Sequence, residues 1–137
     1  GNGEYDALRK TVEGVLTLSI LLDQFPRNIY RGLSQAFATD ALALDIVKDA
    51  LASGFDAELG KTRRMFLYLP FEHSENLADQ DMAVRLFKVL NDEQCYSYAL
   101  EHYYVISRFS RFPGRNAALG RGSTPEELSF LEVFGAY

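Results

Sequence analysis

Apolar residues recur at helical spacing from the start of the chain. Through residues 4–24 they repeat every three or four positions, which predicts a first helix over that range. Asp23 continues the apolar stripe, and a buried carboxylate is costly unless it is paired or hydrogen-bonded, so we expect an arginine as its partner. Pro26 is expected to end the helix, because the residue before a proline is disfavoured in the helical region.

The same spacing predicts five more helices. Thr39 is expected to cap the second, Pro70 to kink or end the third, and Thr124 with Glu127 to form a capping box at the last. The predicted ranges are 40–53, 58–69, 77–90, 93–109 and 125–134. Because no segment alternates as a strand would, we predict an all-α fold of about six helices, arranged as stacked antiparallel hairpins and tetratricopeptide-like.

Length and composition narrow the class of protein. The 137 residues predict a single domain, which we place at residues 4–137, with Gly1, Asn2 and Gly3 set aside as a beginning without methionine. The one cysteine excludes an internal disulfide. No apolar run approaches a membrane span and no signal peptide is visible, so we expect a cytoplasmic protein without membrane contact. The net charge of −5 argues against non-specific nucleic-acid binding.

Two similar stretches, together with the residues just before the second, contain most of the arginines. The first proline turn is residues 23–32, DQFPRNIYRG, and the second is residues 111–122, RFPGRNAALGRG. Six of the ten arginines lie in these turns or just before the second: Arg27, Arg31, Arg108, Arg111, Arg115 and Arg121. In the structural interpretation, arginines cap helix ends and one from the second turn pairs with Asp23, which joins the two ends of the domain. In the functional interpretation, their guanidinium groups converge on a phosphate or carboxylate.

A second polar cluster is Glu72-His73-Ser74-Glu75. Carboxylates beside an imidazole could do acid–base chemistry or, with His102, bind a metal, but the spacing is not that of a known metal motif. We therefore predict no metal and no cofactor. In the structural interpretation, Ser74 caps the fourth helix and Glu75 favours its N-terminus, while His102 is a core residue satisfied by nearby tyrosine hydroxyls.

These observations leave two functions open. The first is binding of a small anionic ligand in an arginine-lined cleft where the proline turns meet, with His102 or Glu72 as proton carrier. Its candidate residues are Asp23, Arg27, Asn28, Arg31, Glu72, His73, His102, Arg108, Arg111, Arg115, Asn116 and Arg121. The alternative is a tetratricopeptide-like module that presents a groove to a peptide or partner protein. The rings expected to line that groove are Tyr30, Phe37, Tyr103 and Tyr104.

Several blocks in order resemble a known bacterial family. They are LLDQFPRNIYRG, AFATDALAL, YLPFEHSENLADQ, HYYVISRFSRFPGRN and LGRGSTPEE, and the match runs from about residue 18 to residue 131. The family is domain of unknown function 924. The resemblance implies an all-helical, tetratricopeptide-like fold and no established activity. It also implies a tryptophan-containing N-terminal segment that this sequence does not show, a glycine where Ser110 stands and a histidine where Gly114 stands.

Overall fold

The computed structural model describes residues 2–136, except the side chain of Asn2; the predicted domain end at Tyr137 lies outside them. The fold is all-α, as predicted, and the described part of the chain contains no strand. The α-helices are α1 (Asn2–Leu8), α2 (Val12–Ser19), α3 (Phe25–Ile29), α4 (Asp40–Ala52), α5 (Lys61–Glu72), α6 (Leu77–Leu90), α7 (Glu93–Phe109) and α8 (Pro125–Phe134). A π-helical turn occupies Ile20–Gln24, and 3₁₀ turns occupy Ser34–Phe37, Phe55–Glu58 and Pro113–Arg115.

The prediction of one continuous helix over residues 4–24 was wrong. The chain breaks after α1, and Thr11 caps α2 by accepting a hydrogen bond from the Gly14 backbone N–H at 3.0 Å. A Cβ on residue 14 would lie 2.1 Å from the Leu8 carbonyl oxygen, so the close approach of α1 to α2 requires glycine at this position. The apolar period alone did not reveal this turn, because it continues on both sides of it.

The expectation that Pro26 ends the helix was also wrong. Phe25 keeps helical angles (φ −61°, ψ −46°), and its backbone N–H bonds to Ile20, five residues back. The wider π turn changes the hydrogen-bond register just before the proline, which has no N–H to donate. Helical geometry therefore continues through α3, and Arg27 follows Asp23 by about one turn on the same side.

The main core lies between α2, α4, α5, α6 and α7. Its buried residues include Val15, Ile46, Val47, Leu67, Tyr68, Phe71, Ala83, Phe87 and Ala99. Pro70 lies inside α5 rather than at its end, and both Pro70 and Phe71 are buried. Burial of this apolar turn outweighs the hydrogen bond that the proline cannot make, so α5 extends to Glu72 and places His73 at its C-terminus.

Three helices with strong local signals at their ends were predicted correctly. The ranges of α6, α7 and α8 are those expected, and Thr124 and Glu127 form the capping box. Thr39, by contrast, makes no side-chain capping bond to α4 and donates to the Leu22 carbonyl instead. Ser74 is not the cap of α6, since Asn76 accepts from the Ala78 backbone N–H at 2.8 Å. Ser110, where the resemblance implies glycine, has φ +61°, in the left-handed region that favours glycine.

A second, smaller core joins the end of α7 to α8. It consists of Val105, Ile106, Phe112 and Phe130, with Phe109 packed against it. Because Phe112 belongs to both this core and the second proline turn, that turn is held against the body of the domain. The first and second proline turns thereby meet beside the C-terminus of α5.

Candidate functional site

A cavity of about 190 Å³ lies where the two proline turns meet the end of α5. Its walls are Arg27, Phe37, His73, His102, Phe112 and Arg115. A second cavity of about 430 Å³ shares Phe37, His73 and Arg115 with it. The smaller cavity is the more enclosed, and its walls combine two cations, two imidazoles and two aromatic rings.

Asp23 holds the ring of His73. The Nδ1 atom of His73 is 2.7 Å from the Asp23 carboxylate, and the Asp23 side chain is only 1% exposed. Arg27 donates to the same carboxylate oxygen at 3.3 Å, and Gln24 donates to the other. Burial raises the pKa of Asp23, but the hydrogen bonds and positive charge around it hold that pKa below its ordinary value. Asp23 is therefore an ionised acceptor at neutral pH.

The protonation of His73 follows from this geometry. Burial lowers its pKa, and the charges of Arg27 and Arg115 lower it further, against the opposing effect of Asp23. The ring is thus neutral at pH 7, with the Nδ1–H donating to Asp23 and the lone pair on Nε2. Among the described residues no group hydrogen-bonds to Nε2, and the side chain remains 16% exposed beside the cavity.

Arg115 is the least compensated cation at the site. Its guanidinium lies between the rings of Phe37 and Phe112, 4.6 Å from each centroid. One Nη donates to the His73 carbonyl at 2.7 Å, and the other is 3.7 Å from Asp40. Its Nε is buried and has no hydrogen-bond partner among the described residues. Burial, together with the charge of Arg27, lowers its pKa to about 10, so it remains a cation whose charge is poorly solvated.

Asp40 joins the first and second proline turns. It accepts two hydrogen bonds from Arg27, at 2.6 and 2.8 Å, and faces Arg115. The expected pairing of Asp23 with an arginine of the second turn is therefore wrong for the described residues. Asp23 pairs with Arg27 and His73, because α3 continues the helix and brings Arg27 back over it.

His102 forms the opposite wall of the cavity. Its Nδ1 donates to the Tyr98 carbonyl at 2.8 Å, and its ring meets Phe112 edge-on at 5.5 Å. Burial lowers its pKa to about 4, with His73 and the arginines adding to the effect, so this imidazole is also neutral at pH 7. The ring centroids of His73 and His102 are 6.4 Å apart.

Two of the predicted arginines are bound in ion pairs away from the cavity. Arg111 donates to both carboxylate oxygens of Glu127, at 2.7 and 2.9 Å, and Arg121 donates to both of Glu75, at 2.9 and 3.1 Å. Glu75 also accepts from the Phe112 backbone N–H at 2.6 Å. These pairs fasten the second proline turn to α8 and to the loop after α5, which is a structural role.

The other candidates near the turns also lie outside the cavity walls. Buried Asn116 donates to Ser123 at 3.0 Å and accepts from Arg121 at 3.0 Å, which braces the second proline turn. Exposed Arg31 lies 3.5 Å from the side chain of Asn28.

Arg108 lies on the surface of α7. It donates to the Tyr104 hydroxyl at 3.3 Å and its guanidinium stacks on Phe109. It does not line the cavity.

Glu72 does not line the cavity either, although the sequence suggested it as a proton carrier. It is 5% exposed, and burial together with the charges of Asp23 and Glu101 raises its pKa to about 7. A carboxyl group whose folded pKa is raised stabilises the fold below its unfolded pKa and loses that contribution as pH rises through the folded pKa.

Glu72→Gln therefore tests the buried carboxyl. Between pH 4.5 and about 7 the wild-type protein should lose stability, because Glu72 ionises in the unfolded chain while it stays protonated in the folded protein. We expect the glutamine variant to be more stable than wild type by roughly 2–3 kcal/mol at pH 8 and no more stable at pH 4.5, measured by urea unfolding. An equal difference at both pH values would contradict the raised pKa.

Residues 2–136 contain neither a metal-ligand cluster nor a membrane-spanning helix. No three histidine, cysteine, aspartate or glutamate side chains come together there as a metal site needs. No helix in that range combines the length and apolar content required of a membrane span.

Sequence reasoning identified Asp23, Arg27, His73, His102 and Arg115 but not how they connect. It missed Asp40, the carboxylate that faces both Arg27 and Arg115. Phe37 was assigned to a different function, and Phe112 lies in the second proline turn but was not singled out. The one signal for the Asp23–His73 dyad, the hydrogen-bonded pair of these two side chains, was Asp23 itself, a carboxylate on an apolar stripe that needed a partner. The partner lies 50 residues away, so no local pattern could name it.

Comparison with known proteins agrees with the resemblance seen in the sequence. A protein of unknown function from Agrobacterium tumefaciens has a similar solved structure, with a TM-score of 0.91 and 41% sequence identity. The match covers 96% of this chain and 74% of that one. No protein with a curated description matches the chain. The family model described as bacterial protein of unknown function (DUF924) matches residues 1–135, and the chain belongs to that family.

Proposed function

We propose that this protein binds a small anionic ligand, a carboxylate or a phosphate, in the cavity between the proline turns. The observation that carries the proposal is Arg115: a buried guanidinium at the cavity wall whose Nε lacks a partner among the described residues. An unsatisfied buried donor costs about 1–3 kcal/mol, and more when charged, so such a group is expected to have a purpose.

The incomplete pairing of Arg115 supports an anion rather than a neutral ligand. Arg27 and Arg115 both face Asp40, which Arg27 already engages with two hydrogen bonds. The nearest carboxylate contact of Arg115 is consequently 3.7 Å long, beyond hydrogen-bonding distance. A bound anion would give Arg115 the close acceptor that Asp40 does not supply, and a guanidinium between two aromatic rings is already fixed in orientation.

The size of the site fits a small ligand. At about 30 Å³ per water molecule in the liquid, a cavity of about 190 Å³ holds roughly six waters. Phosphate or a short carboxylic acid fits such a volume, and the adjoining cavity of about 430 Å³ gives room for the rest of a larger molecule.

Calorimetric titration with phosphate and with short mono- and dicarboxylates tests the proposal. We expect saturable binding by the wild-type protein, and Arg115→Met to weaken it about 10–100-fold, the loss of one or two hydrogen bonds to a charged group. Methionine keeps an unbranched apolar stem between Phe37 and Phe112.

Arg108→Met is the matched control, because Arg108 is an exposed arginine of α7 that does not line the cavity. It should bind as wild type does. Equal weakening by both variants would indicate non-specific charge attraction and would contradict the proposed site. So would unchanged binding by Arg115→Met.

The alternative function, a tetratricopeptide-like module for a partner protein, has less support. Of the four rings expected to line a groove, Tyr30 and Tyr104 are exposed, but Tyr103 is half-buried. Phe37 is covered by the guanidinium groups of Arg27 and Arg115. Those contacts belong to the cavity, so the ring is better placed to orient Arg115 than to meet a partner.

A further inference from the structure

We propose that His73 is a catalytic base that removes a proton from the anionic substrate in the cavity, with Asp23 as its positioning residue. This inference rests on the proposed function, because it takes the bound anion to be a substrate. It assigns a reaction class, proton abstraction from a small carboxylate or phosphate ester, to a site otherwise proposed only to bind.

The first support is the way the imidazole is held. An ionised aspartate that accepts from Nδ1–H fixes the ring orientation and its tautomer and stabilises the imidazolium that forms when Nε2 takes a proton. Asp23 meets this requirement at 2.7 Å. It is itself held by Arg27 and Gln24 and is 1% exposed, so neither partner of the dyad is free to rotate away.

The second support is where the other ring nitrogen lies. His73 lines both cavities, and its Nε2 has no hydrogen-bond partner among the described residues. A histidine with a purely structural role would be expected to satisfy both nitrogens when it is so largely buried. Here Nδ1 is anchored by Asp23, while Nε2 has no protein partner among the described residues and belongs to a ring that lines the cavity.

The third support is the adjacent cation. Arg115 donates to the backbone carbonyl of His73 at 2.7 Å, so the guanidinium and the imidazole border the same cavity from adjacent positions. An anionic group bound by Arg115 would bring a neighbouring atom of the same ligand near His73. His73 would therefore remove a proton from an atom close to the charged group of the ligand.

The step conserves atoms and charge. The Nε2 lone pair forms a bond to a proton on the substrate atom next to its anionic group, and the electron pair of the broken bond stays on the substrate. The new imidazolium keeps its Nδ1 proton towards Asp23, and Arg115 and Arg27 stabilise the negative charge that develops on the substrate. Return of the proton to another atom of the substrate restores neutral His73.

Iodoacetate tests the reactivity of His73 without knowledge of the substrate, because it carries a carboxylate beside an electrophilic carbon. Nε2 would form a bond to the methylene carbon while iodide leaves with the electron pair of the C–I bond. Iodoacetamide is the neutral counterpart. The measurement is done in a Cys95→Ser background, which removes the only thiol, and the modified residue is identified by peptide mass mapping.

We expect iodoacetate to modify His73 at least about tenfold faster than iodoacetamide, because the arginines concentrate the anion at the cavity. The same ratio measured in urea, where the cavity is lost, should be near one. Phosphate should slow the reaction. Asp23→Asn should slow it about tenfold, while the protein remains folded by circular dichroism, because it removes the charge that favours the Nδ1–H tautomer and stabilises the positive charge developing on the ring.

The outcomes separate this inference from the proposed function. Saturable phosphate binding without modification of His73, or with equal rates for the two reagents, would overturn the catalytic base and leave anion binding intact. Absence of both phosphate binding and charge-dependent modification would overturn both. Modification of His73 at equal rates in wild type and Asp23→Asn would exclude Asp23 as a positioning residue.

Discussion

Replacing Asp23 by alanine is expected to lower the free energy of unfolding by about 3–5 kcal/mol at pH 7, the usual effect of removing one member of a buried ion pair. Its carboxylate accepts from His73 at 2.7 Å, from Arg27 at 3.3 Å and from Gln24, and the side chain is 1% exposed. Alanine leaves the His73 Nδ1–H and the Gln24 amide without this acceptor, although Arg27 keeps Asp40, and it opens a cavity beside α5. Urea unfolding followed by circular dichroism measures the change.

Two further variants test whether the loss of stability comes from the buried hydrogen bonds of Asp23. Asp81→Ala removes an aspartate that also pairs with an arginine, Arg85 at 2.8 Å, but that is 49% exposed. It should change stability by less than about 0.5–1 kcal/mol. Asp23→Asn keeps an oxygen that can accept from His73, so it should cost clearly less than alanine. A loss for Asp81→Ala as large as for Asp23→Ala would contradict the buried network.

The contribution of the Asp23 carboxylate to the free energy of unfolding depends on pH. The folded state holds the pKa of this carboxyl below its ordinary value of 3.8, so its contribution is present above that pH and is lost as pH falls through the folded pKa. The difference in stability between wild type and Asp23→Ala should therefore be constant near neutrality and shrink below about pH 4.

Phe112→Ala is expected to destabilise the protein by about 3–5 kcal/mol, the range for removing a buried aromatic ring. Phe112 is 1% exposed and belongs to the smaller core. Its ring also meets His102 at 5.5 Å and the guanidinium of Arg115 at 4.6 Å. The substitution should consequently abolish phosphate binding as well, because it removes a cavity wall and one of the two rings that orient Arg115.

Phe25→Ala is the matched control, since Phe25 lies in α3 and is 50% exposed. It should change stability by less than about 0.5–1 kcal/mol and leave phosphate binding unchanged. Full phosphate affinity in a folded Phe112→Ala protein would show that the ring does not form part of the site.

The elements that the sequence predicted well are those with local signals at both ends. α6 and α7 were placed correctly because Asn91 and Asp92 separate two amphipathic stretches, and α8 because Thr124 and Glu127 form a capping box. The first helix was not placed correctly, because the apolar periodicity continues through the break after α1 and through the π turn.

The residue types of the site were predicted from the sequence, but the contacts between those residues were not. Arginines and histidines in two similar turns suggested an anion site, and five of the six cavity walls were among the residues singled out for one or other function. Which arginine would remain incompletely paired depends on tertiary distances: Arg111 and Arg121 meet Glu127 and Glu75, whereas Arg115 meets only an acid that Arg27 already engages. The paired residues are 16 to 75 positions apart in the sequence, so no local pattern can predict these ion pairs.

Binding of an anion beside His73 and Arg115 is tested most directly by the ¹⁵N NMR signals of the ring nitrogens of the two histidines. We predict that a long-range ¹H–¹⁵N spectrum at pH 7 shows both rings neutral with the proton on Nδ1. Phosphate, added to about 10 mM, ten times a millimolar Kd, should shift the Nε2 signal of His73 in wild type and not in Arg115→Met. A His73 signal that does not move with phosphate in the wild-type protein would contradict the account.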